Sequence, residues 1–294
     1  MKTLSIVIPV YNEAENVLIL YAKIKEVIEK KGIDCEIIFV DDGSTDKTLG
    51  NLKGIIDDRV RTICVRRNFG KARALSKGFS EASGKYIMTM DGDLQDDPEE
   101  IPHFLAAITD YEMVSGWKHE RKDTFFKIVA SRVFNFLVRM ITDIKLHDID
   151  CGYKIYRKEI VDNLSLYGGM YRYIPVLVHW EGYSVGEIKV KHNKRKFGRS
   201  KYGASRLLWG FLDLLTIKFL INFKHNPLHF FGGIGLVNLL IGFILGSYLI
   251  ILKFEHIPIL SRPLLFLSVL LIILGVQFFS LGLLGELLIS KQNK

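Results

Sequence analysis

The sequence predicts an α/β domain with a mostly parallel sheet, followed by a surface helix and a hairpin of two membrane-spanning helices. Short β-rich runs alternate with helical stretches over the N-terminal part of the chain, and two long charge-free apolar runs lie near its C-terminus. The 294 residues are 49% hydrophobic and carry a net charge of +8. This composition excludes a disordered chain, and only three cysteines exclude a disulfide scaffold.

Four strands and three intervening helices are predicted in the N-terminal part. Asn12, with Glu15 three residues later, predicts the N-cap and capping-box partner of the first helix. Because strands and helices alternate, the sheet is expected to be parallel, with helices on its faces and ligands beyond the carboxyl ends of its strands. The strands lie at about 4–9, 36–40, 60–65 and 86–90, and the helices at about 15–31, 47–57 and 72–81.

Two runs, 228–252 and 263–285, contain no Lys, Arg, Asp or Glu. Each exceeds the roughly 20 residues that a helix needs to cross about 30 Å of hydrocarbon. Buried core helices are the alternative, but helices of that length in a soluble core normally show a polar stripe. We therefore predict membrane-spanning helices at about 228–252 and 263–287, in a hairpin at 226–290. Gly242 and Gly246 form a step that allows close helix packing, and a homo-oligomer through these Gly-rich spans stays open.

Lys and Arg are abundant before the first span, whereas the linker between the spans offers only Lys253 and Arg262. This bias predicts a multi-pass inner-membrane protein whose N-terminal domain and termini are cytoplasmic. The leucine-rich stretch at 201–225 carries Arg206, Asp213 and Lys218, which are costly inside a bilayer. It predicts a juxtamembrane helix on the membrane surface, with a buried helix of the soluble domain as the alternative. The N-terminal cytoplasmic domain is then expected at 1–200.

Polar segments follow all four predicted strands, so they are expected to meet at one edge of the sheet. No Gly-x-Gly-x-x-Gly follows the first strand and no Gly-x-x-x-x-Gly-Lys-Ser/Thr occurs, which argues against a dinucleotide-binding Rossmann domain and a P-loop NTPase. Asp91 and Asp93, one residue apart at a strand end, are suited to hold Mg²⁺ or Mn²⁺. The four segments are residues 9–13 (PVYNE), 41–44 (DDGS), 66–70 (RRNFG) and 91–96 (DGDLQD).

These motifs carry a resemblance to a known family. Residues 5–13 (SIVIPVYNE), 41–44 (DDGS) and 91–95 (DGDLQ) resemble the motifs of family 2 glycosyltransferases of GT-A type. Residues 67–71 (RNFGK), 150–154 (DCGYK) and 195–202 (RKFGRSKY) resemble, more closely, the polyprenyl-phosphate glycosyltransferases. That group includes dolichol-phosphate mannose synthases and bactoprenol glucosyltransferases. The resemblance covers the whole chain, including the two C-terminal spans.

The resemblance implies a GT-A-type, Rossmann-like sheet and a division of roles among the candidate residues. A divalent cation, Mg²⁺ or Mn²⁺, would be held by Asp91 and Asp93, with Gln95 joining them. Asp93 and Asp150 would act at the reacting centre, Asp150 by positioning substrate. The donor would contact Pro9, Tyr11, Glu13, Asp41, Asp42, Arg67, Lys71 and Asp91, and the acceptor phosphate would contact Lys118, Arg121, Arg132, Arg195, Ser200 and Lys201.

The implied reaction is the inverting, metal-dependent transfer of one sugar from a nucleotide sugar to polyprenyl (undecaprenyl) phosphate at the cytoplasmic membrane face. UDP-glucose is the expected donor. The alternatives for the transferred sugar are an N-acetylhexosamine, mannose from GDP-mannose and a modified pentose. No nucleic-acid partner is expected. A processive polysaccharide synthase is the main alternative, but none of the glutamines begins a Gln-x-x-Arg-Trp motif. The other alternative is a catalytically inactive membrane scaffold.

Overall fold

A computed structural model describes residues 2–119, 125–142, 144–194, 196–197, 206–223, 226–255, 257–259 and 262–292. The chain divides into two compact units, Met1–Leu215 and Thr216–Lys294. The first contains a seven-stranded sheet and the second a helical hairpin, and each is treated by itself below.

The sheet has the strand order β3-β2-β1-β4-β6-β5-β7. The first four strands run parallel, β5 and β7 pair in parallel, and β6 lies antiparallel between β4 and β5. The carboxyl ends of β1 to β4 therefore meet at one edge. The strands are β1 Leu4–Val10, β2 Cys35–Asp41, β3 Val60–Cys64, β4 Tyr86–Thr89, β5 Met113–Trp117, β6 Lys154–Arg157 and β7 Val185–Lys189.

Helices cover both faces of the sheet. Side chains alternate between the two faces along each strand, so each face presents apolar side chains that a helix can bury. On β1, Ile6 and Ile8 belong to one buried cluster, whereas Val7 belongs to the other. Both faces of the central strands are apolar, as expected for strands covered on each side. The α-helices are α1 Val17–Lys31, α2 Thr48–Lys53, α3 Lys71–Glu81, α4 Ile101–Ala107, α5 Phe125–Thr142, α6 Lys158–Asn163, α7 Ile174–Trp180, α8 Arg206–Phe223, α9 Pro227–Phe254 and α10 Pro263–Gln292.

The predicted fold class is confirmed, but the predicted cap of the first helix is wrong. Helix α1 begins at Val17, and the residue before it makes no side-chain cap. Asn12 instead adopts a left-handed backbone conformation with φ 51°. Its backbone N–H donates to Ser44 Oγ at 2.9 Å, and its side-chain oxygen accepts the N–H of Thr45 at 2.8 Å. Its hydrogen-bonding capacity is therefore used to join the loops after β1 and β2 rather than to start a helix.

The second unit contains two helices, α9 and α10, that are long and apolar enough to cross a membrane by length and composition. Small residues allow them to pack closely: a Cβ added at Gly235 would lie 2.8 Å from the carbonyl oxygen of Gly275. Gly242 lies in the same contact, where its carbonyl oxygen accepts the Ser268 hydroxyl at 2.9 Å. The hairpin predicted from the charge-free runs is thus present in the fold.

Candidate functional site

The loops after the first three strands are joined by backbone hydrogen bonds at the carboxyl edge of the sheet. Asp42 N–H donates to the Val10 carbonyl at 2.8 Å, and Val65 N–H donates to the Asp41 carbonyl at 3.0 Å. The parallel register of these strands brings the polar segments predicted from sequence to one place.

Asp41 and Asp42 are both buried, and each carboxylate holds a loop in place. Asp41 accepts the backbone N–H of Ser44 at 3.2 Å and also the Ser44 hydroxyl. Asp42 accepts the backbone N–H groups of Phe69 at 2.9 Å and Gly70 at 2.8 Å. Because these amides directly precede α3, Asp42 fixes the loop that carries Arg66 to Gly70.

The backbones of these two loops are in close contact. Gly43 has a φ of +72°, and a Cβ added there would lie 2.5 Å from the carbonyl carbon of Arg67. The Arg67 side chain is exposed and lies over the Phe69 ring, with 4.8 Å between its guanidinium carbon and the ring centroid. Arg73 lies over the same ring at 4.1 Å. Two guanidinium groups therefore flank one exposed aromatic ring at this edge.

The residues at the end of β1 and directly after it differ in their exposure. Glu13 is buried, and its carboxylate accepts the side-chain amide of Asn16 at 2.5 Å. Its backbone N–H donates to the Thr48 hydroxyl at 2.8 Å. Pro9 and Tyr11 are partly exposed beside it. Glu13 thus makes structural hydrogen bonds. Pro9 and Tyr11 expose part of their surface at the edge where the nucleotide-sugar donor is predicted to bind.

Asp91 forms an ion pair with Lys71, the first residue of α3. Burial raises the pKa of Asp91, but the positive charges of Lys71, Lys118 and Lys154 outweigh this effect and lower the pKa to about 2. Asp91 is therefore ionised at neutral pH. Gly152 lies directly against its carboxylate, because a Cβ there would be 2.5 Å from Asp91 Oδ2.

Asp93 is 8% exposed and shapes the loop that contains it. One of its carboxylate oxygens accepts the backbone N–H of Gln95 at 3.1 Å, and Leu94 between them has φ 62°. The Gln95 amide nitrogen lies 3.2 Å from His192 Nε2. The loop is thus a tight turn, held from the side by His192.

A buried ion pair supports this acidic loop from behind. Asp96 accepts the backbone N–H of Asp91 at 3.1 Å through one carboxylate oxygen. Its other oxygen lies 3.3 Å from the ammonium of Lys118, which is largely buried. Burial lowers the pKa of Lys118, but Asp96, Cys151 and Asp91 outweigh it, so the net pKa is raised. The predicted contact of Lys118 with the acceptor phosphate stays a prediction, and the observed contact positions Asp91.

Asp150 lies beside a second buried cation that sequence reasoning missed. Arg172 Nε is 3.8 Å from Asp150 Oδ1, and Arg172 Nη1 is 3.9 Å from Asp213 on α8. The next residue, Tyr173, donates its hydroxyl hydrogen to the carbonyl of Gly210 at 2.5 Å. Arg172 thus links the predicted reacting centre to the first part of α8, and no local sequence pattern marks it.

The predicted acceptor residues are only partly described. Arg132 is exposed on α5, where the side chains of Val133, Phe136 and Met140 are exposed as well. The remaining predicted acceptor residues, Arg121, Arg195, Ser200 and Lys201, lie outside the described residues.

The carboxylates fit a divalent cation that arrives with a diphosphate better than one held by protein ligands alone. Within the described ranges, His, Cys, Asp and Glu side chains form no group of three that could hold a metal ion. Asp91 and Asp93 supply two carboxylates, and the Lys71 ammonium already places a positive charge at Asp91. Mg²⁺ is commonly bound by one or two carboxylates together with substrate phosphates. The residues present therefore fit such an ion.

Solved structures share the fold of the sheet unit. The chain is similar to glucosyl-3-phosphoglycerate synthase from Mycobacterium tuberculosis in complex with uridine-diphosphate, with a TM-score of 0.60 and 18% identity over 74% of this chain and 80% of that chain. A structure of the same protein with Mn²⁺ and uridine-diphosphate-glucose gives a TM-score of 0.58 over 74% and 79%. The sheet unit therefore shares its fold with this synthase.

The sequence comparisons identify the family. The profile of glycosyl transferase family 2 matches residues 5–165, which is more than half of the chain. A dodecaprenyl-phosphate galacturonate synthase from Rhizobium johnstonii is 38% identical over 97% of this chain and 87% of its own length. An undecaprenyl-phosphate 4-deoxy-4-formamido-L-arabinose transferase from Enterobacter sp. (strain 638) is 34% identical over 96% and 86%.

The chain is a glycosyltransferase and belongs to glycosyl transferase family 2. The resemblance to polyprenyl-phosphate glycosyltransferases predicted from its motifs is confirmed by these relatives.

Proposed function

We propose that this enzyme transfers one sugar from a nucleotide sugar to a polyprenyl phosphate at the membrane. The observation that carries this proposal is the extent of the similarity: the two relatives named for polyprenyl-phosphate substrates match this chain over 97% and 96% of its length, which includes the apolar hairpin. The charged edge of the sheet supports it, because cations and carboxylates lie together where a diphosphate would bind.

We assign the nucleoside to the carboxyl ends of β1 and β2 and the residues that follow them. Pro9, Tyr11 and Glu13 lie on one side, and Asp41 and Asp42 on the other. The buried hydrogen bonds of Asp42 to the amides before α3 would hold that wall rigid.

The diphosphate is assigned to the next loop. Arg67 is exposed and Lys71 lies next to Asp91, so both cations are placed to balance its negative charge.

Mg²⁺ or Mn²⁺ would be held by Asp91 and Asp93, with Gln95 beside them. The bound ion would stabilise the negative charge of the departing nucleoside diphosphate. Neighbouring side chains keep Asp91 in a state suited to bind this ion. Lys71 and Lys118 keep Asp91 ionised, and Asp96 fixes its backbone.

The acceptor phosphate needs little activation. Phosphomonoesters have a second pKa near 6, so at neutral pH the phosphate is mainly a dianion and can attack the anomeric carbon directly. One such displacement inverts the configuration at that carbon. We assign Asp150 to orienting the substrate, since Arg172 lies 3.8 Å from it. Cations would bring the two anionic substrates together, and those assigned to the acceptor are Lys118, Arg121, Arg132, Arg195 and Lys201, with Ser200 beside them.

The membrane arrangement completes the proposal. The hairpin of α9 and α10 would span the inner membrane with both termini cytoplasmic, and α8 would lie at the interface. Trp209, Leu212 and Leu215 support this position for α8, because they are exposed apolar side chains on a helix that also carries charge. A catalytic domain at 1–200 would then work at the cytoplasmic surface.

UDP-glucose is the donor predicted from sequence. The two relatives are named for galacturonate and 4-deoxy-4-formamido-L-arabinose, so uronic acids and modified pentoses belong in the same test. We propose incubating purified full-length protein with undecaprenyl phosphate, Mg²⁺ or Mn²⁺ and a panel of nucleotide sugars, followed by extraction of the lipid. A glycosylated lipid with one donor is expected. Failure with every donor, while a known transferase works in the same assay, would reject the proposed function.

The metal and stereochemical parts have separate tests. Asp93→Ala should abolish transfer while the thermal unfolding temperature stays close to that of the wild type, and chelation of divalent cations should abolish wild-type transfer. The anomeric configuration of the lipid product, measured by NMR against that of the donor, should be inverted. Normal transfer by Asp93→Ala would show that the metal assignment is wrong.

A further inference from the structure

A small cavity lies next to Asp150 and Lys71, between β4, β6 and the start of α7. It has room for about one water-sized group. Asp91 is close to it, because Lys71 pairs with Asp91 and Gly152 packs against the Asp91 carboxylate. The side chains on β6 that line it are Lys154 and Tyr156.

Lys154 is a buried cation without a carboxylate partner in the described part of the chain. Lys154 is only 2% exposed, and its ammonium donates a hydrogen bond to the backbone carbonyl of Cys151. Among the described residues, no carboxylate lies within 4 Å of it. Burial lowers the pKa of Lys154, although Cys151, Asp150 and Asp148 act in the opposite direction. A buried ammonium with no carboxylate in direct contact is costly for folding, so its presence calls for another reason.

Tyr156 adds a second donor to the same cavity. It lies two residues after Lys154 on β6, so both side chains are on the same face of the sheet. Its hydroxyl is buried beside the Thr89 hydroxyl, and among the described residues it makes no hydrogen bond of good geometry. The neighbouring Thr89 hydroxyl donates to the Gly152 carbonyl at 2.7 Å. The cavity therefore presents an ammonium and a phenol hydroxyl, which are both suited to an anionic oxygen.

We propose that this cavity binds one anionic oxygen of the sugar donor through Lys154 and Tyr156. The inference rests on the proposed function, because it takes the ligand to be a nucleotide sugar. The oxygen has two sources on such a donor: a carboxylate on the sugar ring, as in a uronic acid, or the diphosphate. Both would reach a site beside Asp91 and Asp150, and both would supply the anionic oxygen that Lys154 lacks in direct contact.

The test compares two donors that differ in this group. UDP-galacturonic acid carries a carboxylate where UDP-galactose carries a hydroxymethyl group. The full-length wild type, Lys154→Met and Tyr156→Phe are assayed for donor binding by titration calorimetry with Mg²⁺, and for transfer to undecaprenyl phosphate. Lys85→Met is the matched control, since it removes an exposed positive charge at the amino end of β4.

We expect Lys154→Met to weaken binding by about 10- to 100-fold for the donor whose oxygen enters the cavity, and Tyr156→Phe by about 3- to 10-fold. A loss confined to UDP-galacturonic acid would identify the sugar carboxylate, and an equal loss for both donors would identify the diphosphate. Lys85→Met should bind both donors as the wild type does.

Thermal unfolding separates a ligand site from a structural one. Lys154→Met removes a buried charge, so its unfolding temperature should equal or exceed that of the wild type. Unchanged binding of both donors by Lys154→Met would overturn the proposal, and so would a binding loss accompanied by a large drop in unfolding temperature. Absence of wild-type binding to either donor would overturn the proposal for this cavity. The proposed function is rejected separately, by the failure of every donor in the panel to give a glycosylated lipid.

Discussion

Gly152 and the carboxylate of Asp91 are in direct contact, with no room for a side chain between them. A Cβ added at residue 152 would lie 2.5 Å from Asp91 Oδ2 and 2.8 Å from Asp91 Oδ1. The contact depends on β6 lying antiparallel beside β4, since this pairing places residues 150–154 against the end of β4. Residue 152 must therefore be small if Asp91 is to keep its position.

We expect Gly152→Ala to reduce transfer by about 100-fold, because the added methyl group displaces the carboxylate assigned to the metal and misplaced catalytic groups cost about this much. Steady-state kinetics with the active donor is the measurement. Gly50→Ala is the matched control, since nothing lies within 4 Å of a Cβ there. Equal activity of the two variants would show that Asp91 does not need its observed position.

Asp42→Asn should raise the KM for the donor by about 10-fold. The carboxylate accepts two backbone N–H groups, whereas an amide offers one oxygen and turns an N–H toward the second donor. Losing one such bond costs about 1–3 kcal/mol, and the loop before α3 should loosen. Kinetics over a range of donor concentrations checks this. Asp58→Asn, at an exposed position, is the control, and an unchanged KM in Asp42→Asn would contradict the assigned role of Asp42.

The first half of the sheet could be predicted from sequence because its strands are short apolar runs followed by polar turns. The four predicted strands match β1 to β4 closely. The helix predicted at 47–57 ends earlier, at Lys53, where Gly54 follows. The pairing of β6 between β4 and β5 was not predicted, since β6 has four residues and its neighbours are set by contacts distant in sequence.

The site residues differ in the same way: those with a local sequence pattern were predicted, and those placed by contacts distant in sequence were missed. The position of Asp91 and Asp93 at the edge of the sheet could be predicted because they follow a recognisable strand. Lys154 is the last residue of the DCGYK motif at 150–154, but its position opposite Thr89 depends on the antiparallel pairing of β6. Arg172 and the pairing of Lys118 with Asp96 depend on tertiary packing and leave no periodic signal. For Lys154 the available signal was a lysine at the first position of a four-residue strand, followed directly by buried Ile155 and Tyr156.

Acid should destabilise the domain through Asp57. Its carboxylate accepts bonds from Arg59 and from the Tyr21 hydroxyl at 2.8 Å, and the hydrogen bonds from Arg59 are the main reason why its pKa lies well below the usual value. A carboxyl whose pKa is lower when folded stabilises the fold above its unfolded pKa of about 4, and this contribution is lost as the pH falls below that value.

Asp57→Asn should therefore lower the thermal unfolding temperature at pH 7 and make it less dependent on pH between about 5 and 3. Unfolding of the detergent-solubilised protein, followed by circular dichroism across this range, is the measurement. Asp58→Asn should keep the wild-type dependence, because Asp58 is exposed. Identical pH profiles for Asp57→Asn and the wild type would contradict the role given to this carboxylate.

Substitution by alanine should destabilise the helical hairpin at Gly235 but not at Gly233. A Cβ at Gly235 would lie 2.8 Å from the Gly275 carbonyl oxygen and 2.9 Å from the Phe279 backbone nitrogen, whereas nothing lies within 4 Å of one at Gly233. Gly235→Ala should cost about 1–3 kcal/mol through overpacking, with a lower unfolding temperature in detergent. Gly233→Ala should be neutral, and equal effects of the two substitutions would contradict the observed helix contact.

The mass of the lipid product tests the central claim most directly. Undecaprenyl phosphate, incubated with full-length protein, a divalent cation and the donor that gives activity, should gain the mass of one sugar residue and no more. Asp93→Ala should give only unmodified lipid. A series of products with several sugars would indicate a processive synthase, and unmodified lipid with every donor tested would contradict the transferase account.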